Sequence, residues 1–148
     1  MKIAVLMGSP NDAASMAPAL QMLERFGVIG DERVMSAHRN PELVASFAGA
    51  ARDEGYAAII CGAGMAAHLA GVVAAHTTLP VIGVPLSGGA LNGVDALYAT
   101  VQMPRGIPVA TVAIDGAANA AILAIEMLAI TDAQLAAKLG EFRQGGAR

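Results

Sequence analysis

Short runs in this chain are apolar almost throughout, not at every second position: Ile3-Ala4-Val5-Leu6-Met7, Ala57-Ala58-Ile59-Ile60-Cys61, Val81-Ile82-Gly83-Val84 and Val109-Ala110-Thr111-Val112-Ala113. A strand with one face in water alternates apolar and polar side chains, so unbroken runs point to strands covered on both faces. Stretches with helical spacing separate them. Met16, Leu20, Leu23 and Phe26 recur along the first, which starts near Asn11 or Asp12 and stops at Gly27. A second helix is expected from Pro41 to about Glu54, with Leu43, Val44, Phe47 and Ala51 on one face and Gly55 as its stop. Further helices are expected up to Ala75, over Val94 to Val101, Ala117 to Leu128 and Asp132 to Phe142.

A fifth, short strand is expected at Arg33 to Met35, and Pro85 should close the strand that begins at Val81. Strands alternating with helices give an α/β domain whose parallel sheet carries helices on both faces, in the flavodoxin-like manner. Nothing along the 148 residues suggests a second domain, a repeat or a linker, so residues 1–148 are read as one unit.

Composition narrows the function. Hydrophobic residues make up 55% of the chain, and no charged residue lies between Glu54 and Asp95. Gly62, Gly64, His68, Gly71 and His76 break that stretch, followed by Pro80, Pro85 and Gly88-Gly89, so a membrane span is not expected. The apolar surplus instead suggests surface covered by other subunits of a homo-oligomer. A net charge of −3 and 3% aromatics argue against nucleic-acid binding. The lone Cys61 fits a reducing compartment and inert packing inside a strand. The first strand pattern starts at Ile3, which leaves no room for a leader and sets the expectation of a cytoplasmic protein.

In a parallel sheet the loops after the strands meet at one edge, where such folds bind ligands. Gly8-Ser9-Pro10-Asn11-Asp12 puts small residues and a hydroxyl at a helix start, a setting that suits an anion. Asp12 is either an N-cap or an acceptor for sugar hydroxyls. Ser36-Ala37-His38-Arg39-Asn40-Pro41 offers a hydroxyl, an imidazole and a guanidinium just before a helix that Asn40 would cap. The third loop, Gly62-Ala63-Gly64-Met65-Ala66-Ala67-His68, fits G-x-G-x-x-A, but the acidic partner of a dinucleotide site is missing until Asp95. Its glycines would let a flat ring approach the backbone. His68 reads as ligand-facing or as a helix-cap partner, and His76 as structural. The loop from Pro85 to Asn92 completes the edge. No metal set, P-loop, hydrolase elbow or flavin-stacking aromatic accompanies these loops, so no cofactor is expected.

Taken together, Met7-Gly8-Ser9…Asp12, Ser36-Ala37-His38-Arg39, Ala63-Gly64…Ala66-Ala67-His68-Leu69, Leu79 to Pro85 and Val101 to Val109 resemble the N5-carboxyaminoimidazole ribonucleotide mutase family of bacterial purine biosynthesis. The likeness runs through nearly the whole chain. It implies a three-layer αβα sandwich assembled as a homo-octamer and an isomerase that moves a carboxyl group from the exocyclic nitrogen to carbon 4 of an aminoimidazole ribonucleotide. The family works through decarboxylation and recarboxylation, without metal, biotin or nucleotide. His38 would be the general acid/base; Ser9, Ser36 and Arg39 would hold the phosphate, Asp12 the ribose, and the Gly64 to Leu69 loop, with His68, would close over the imidazole.

Met65 stands where the family usually has glycine, Ala70 where it has proline, and Asn40 where it has threonine. The chain ends at Arg148, where many members carry a longer tail. A related carboxylase branch uses free CO2, with Lys after the histidine and an Arg-Ser-Asn third loop. Arg39 and Met65-Ala66-Ala67-His68 favour the mutase over that branch, and the intact His38 argues against a non-catalytic ribonucleotide-binding module.

Overall fold

A computed structural model describes residues 1–147. They form strands β1 (Lys2–Met7), β2 (Ile29–Val34), β3 (Tyr56–Gly64), β4 (Val81–Leu86) and β5 (Ala110–Thr111). The α-helices are α1 (Ala13–Phe26), α2 (Pro41–Ala50), α3 (Leu69–His76), α4 (Val94–Val101), α5 (Ala117–Ala129) and α6 (Ala133–Gln144). The strands make one parallel sheet in the order β2-β1-β3-β4-β5. This is the doubly wound arrangement expected from the unbroken apolar runs.

The runs are unbroken because each face of the sheet has its own core. Ile3, Val5 and Met7 of β1 point to the layer of α1 and α5, where they meet Leu23, Ala121 and Ile125. Ala4 and Leu6, between them, point to the layer of α2 and α3, with Val44, Phe47 and Val73. Each fully buried Leu, Ile or Val contributes about 1.5–3 kcal/mol of transfer free energy, so both faces select apolar residues. Gly83 lets α4 come close to β4: a Cβ there would lie 2.3 Å from Thr100 Cγ2 and 3.0 Å from Val109 Cγ1.

Several boundaries differ from the sequence expectation. β2 starts at Ile29, not Arg33; at the sheet edge its side chains are largely exposed, so no apolar pattern marks it. α2 ends at Ala50, and residues 51–55 form a turn closed by the Glu54 N–H to Ala50 O bond and by Gly55 at φ +82°. Leu43 is exposed, and Ala48 fills the buried face beside Val44 and Phe47. Pro85 lies inside β4 rather than ending it. Its carbonyl faces the β5 side, where strand pairing stops at Gly83, so the missing N–H costs no ladder bond there. β5 is two residues long rather than five. No helix among the described residues is long and apolar enough to cross a membrane.

Candidate active site

The loops after β1, β2, β3 and β4 enclose a cavity of about 490 Å³ at the carboxyl edge of the sheet. That size suits a small-molecule ligand. It lies at the point where the strand order reverses about β1. Ser9, Asp12, Ser36, His38, Arg39, Gly64, His68 and Leu69 all line it, so the residues singled out from sequence converge on one space.

The β2 loop is anchored to its neighbour. Met35 N–H donates to Met7 O, and Asn40 N–H to Ser36 O, closing a tight turn before α2. Ser36 is nearly buried, and its Oγ accepts the N–H groups of His38 and Arg39, each at 3.3 Å. Ser9 Oγ likewise accepts from Asn11 N–H at 3.2 Å. Both hydroxyls spend lone pairs on backbone donors, which leaves each O–H to donate into the cavity. A phosphate, which only accepts, complements that pair. Arg39 reaches across to the end of β1, where its Nη2 donates to Gly8 O at 2.7 Å, and it lines the same cavity as both serines.

Asp12 is the acidic group of this corner. Burial pushes its carboxyl above the ordinary 3.8, opposed by a backbone hydrogen bond at Ser9 and by the Arg39 charge. Its side chain makes no N-cap bond to α1, so the capping alternative is not realised. Asn40 occupies the N-cap position of α2, but its side chain does not cap either. Pro41 alone supplies the helix-start chemistry there.

His38 and His68 meet across the cavity. His38 Nε2 is 2.6 Å from His68 Nδ1, and the rings are edge to face at 87° with centroids 4.8 Å apart. At that distance one ring nitrogen donates N–H and the other accepts, with the roles set by the tautomers. The His68 side chain does not cap α3, although the residue precedes it, and it faces the cavity. His76, at the end of α3, is exposed and away from the cavity.

An apolar side completes the pocket, built from Ala63, Met65 and Ala66 with the edge of Leu69. Leu69 is itself 2% exposed, so it forms a wall by packing in the core. Gly64 lines the space, but Gly62 does not: a Cβ there would lie 2.3 Å from Met16 Sδ, so it makes room for α1 rather than for a ring. Met65 holds φ +53°, a left-handed conformation that a side chain adopts only at some cost. Cys61 is buried in β3, where burial raises its thiol pKa and keeps it protonated.

Sequence reasoning left Ser87, Gly88 and Gly89 without a role, yet they form the remaining wall. The available signal was their place after the fourth strand. Asp115, which bonds to Ser87, had no local signal at all, because only the fold brings the two together.

A profile of the AIR carboxylase family matches residues 2–148. The N5-carboxyaminoimidazole ribonucleotide mutase of Saccharolobus solfataricus is 52% identical over 143 residues, covering 97% of this chain and 90% of that protein. The Escherichia coli K12 protein of the same name is 50% identical over 145 residues, covering 97% and 86%. A chloroplastic phosphoribosylaminoimidazole carboxylase from Vigna aconitifolia is 48% identical over 139 residues, 94% of this chain but only 25% of that longer protein. Among solved structures, that of Treponema denticola PurE superimposes with a TM-score of 0.87 at 28% identity, covering 99% of this chain and 91% of the other.

Proposed function

We infer the chemistry from one premise: the chain belongs to the AIR carboxylase family. It is an isomerase, an N5-carboxyaminoimidazole ribonucleotide mutase of purine biosynthesis. The product is 4-carboxy-5-aminoimidazole ribonucleotide, reached by moving the carboxyl group from the exocyclic nitrogen to carbon 4.

In our reading His38 carries the proton. It gives the proton to the exocyclic nitrogen as the N–C bond breaks and CO2 leaves. Carbon 4 then attacks the CO2, and His38 takes back the proton lost from that carbon. The enzyme ends the cycle as it began. An imidazole suits both halves because it gives and takes a proton near neutral pH, and a positioned general acid–base contributes roughly 10²–10⁴-fold.

Ser9, Ser36 and Arg39 hold the phosphate, through two O–H donors and one guanidinium. Asp12 accepts from the ribose hydroxyls. Gly64, Met65 and Ala66 leave an apolar space beside the histidines where CO2 stays close to the ring, and closeness replaces a bimolecular encounter. The reading rests chiefly on one observation: the His38–His68 pair stands between a phosphate-donor corner and an apolar wall in one cavity.

We also read the protein as a cytoplasmic homo-octamer. Its support is an uncovered apolar stripe: Val94, Tyr98 and Val101 recur along α4, with Leu91 just before it, and all are exposed. Sedimentation should give eight times the 14.9 kDa chain, and a stable monomer at micromolar concentration would refute the assembly.

The activity is tested by following ultraviolet absorbance of the carbon-carboxylated product. One arm supplies the carbamate substrate; the other supplies aminoimidazole ribonucleotide with bicarbonate. Product formed efficiently only in the first is expected. Faster formation in the second would make the protein a carboxylase.

A further inference from the structure

Ser87-Gly88-Gly89 forms a cavity wall just past the end of β4, beyond the reach of the sheet ladder. Its two glycines hold φ +146° and +63°, in the region that favours glycine. Met65 of the opposite loop rests on it, with Cγ 3.4 Å from where a Gly89 Cβ would sit. The placement of this wall therefore bears on the β3 loop that also carries His68.

Asp115, just past β5, clamps the start of the wall from two sides. Its Oδ1 accepts Ser87 N–H at 2.9 Å, and its own N–H donates to Pro85 O at 2.9 Å. Its φ of +57° turns both groups toward β4, and aspartate is one of the few side chains that tolerates this conformation. Ile114, the preceding residue, packs where a Cβ on Gly93 would lie, 2.8 Å from its Cγ2, so the far end of the loop is shaped from the same segment. Asp115 does not line the cavity, so whatever it does there passes through Ser87.

We propose that Asp115 is a positioning residue for the substrate: its carboxylate fixes Ser87–Gly89 as the wall against which the aminoimidazole ribonucleotide binds. The inference rests on the mutase reading for the identity of that ligand.

Two variants separate the carboxylate from the backbone. Asp115→Gly removes the acceptor while suiting the φ, at an exposed position where folding is not at stake. Asp115→Asn keeps an acceptor oxygen and the same tolerance. Asp115→Gly should raise KM, and the Kd for aminoimidazole ribonucleotide by calorimetry, about 5- to 20-fold, with kcat within about threefold. Ser87 amide exchange should speed up about tenfold or more. Asp115→Asn should recover both to within about threefold. Unchanged KM and Kd in Asp115→Gly would overturn the proposal, as would an Asp115→Asn variant equally impaired. A wild-type protein that binds the ribonucleotide but does not convert the carbamate would sink the mutase reading, and the Kd comparison would still decide the role of Asp115.

Discussion

His38 Nε2 and His68 Nδ1 lie 2.6 Å apart, joining the loop after β2 to the loop after β3. A contact this close restrains how the His38 ring is aimed. His68→Ala should lower kcat about 10- to 100-fold, as small misplacements of a catalytic group do, with a smaller change in KM. His68→Asn keeps a polar atom near the Nδ1 position and should retain more activity than the alanine variant. Equal losses in both would separate His68 from the aiming of His38.

Asp12 is held at a cost to stability. Because burial raises its carboxyl pKa above 3.8, the folded state binds that proton more tightly than the unfolded chain. Its stabilising contribution is full below the unfolded value and is lost as pH rises through the folded one. Asp12→Asn escapes that loss, so thermal melts at neutral pH should show the variant at least as stable as wild type. The gap should close as pH falls below about 3.8. The same variant should raise KM about tenfold, since a neutral amide accepts ribose hydroxyls less strongly.

Arg39 works as a planar fork, bonded to Gly8 O on one side and open to the cavity. Arg39→Lys keeps the charge and loses the fork. KM should rise about tenfold, with kcat within about threefold. A proportional fall in kcat instead would place Arg39 in the chemical step.

Gly83 has no spare room. A methyl there meets Cγ2 of Thr100 in α4 and Cγ1 of Val109 just before β5. Gly83→Ala should cost about 1–3 kcal/mol in urea denaturation, the usual range for overpacking. A loss below about 0.5 kcal/mol would mean that α4 shifts freely on the sheet.

The inner strands were legible in the sequence because burial on both faces leaves an unmistakable apolar run, as in β1 and β3. β2 was legible only from Arg33 on, since Ile29 to Glu32 of an edge strand carry no such mark. Besides its ladder with β1, side chains hold it: Asp31 bonds Arg33 and Tyr56, and Arg33 lies over the Phe47 ring. The site was legible where one loop contained the chemistry, as in Ser36 to Arg39. The His38–His68 contact spans 30 positions and the Ser87–Asp115 bond 28, so both depend on strand order. Gly62 was misassigned because a glycine that admits a ligand and one that admits a helix look alike until the packing is known.

His38 is the proposed proton carrier of the reaction. The direct test is His38→Asn, followed by product absorbance with the carbamate substrate and by calorimetric binding of aminoimidazole ribonucleotide. The variant should melt like the wild type, bind the ribonucleotide within about threefold, and lose at least about 10³-fold in turnover. Turnover above a few per cent of wild type would contradict the role assigned to His38.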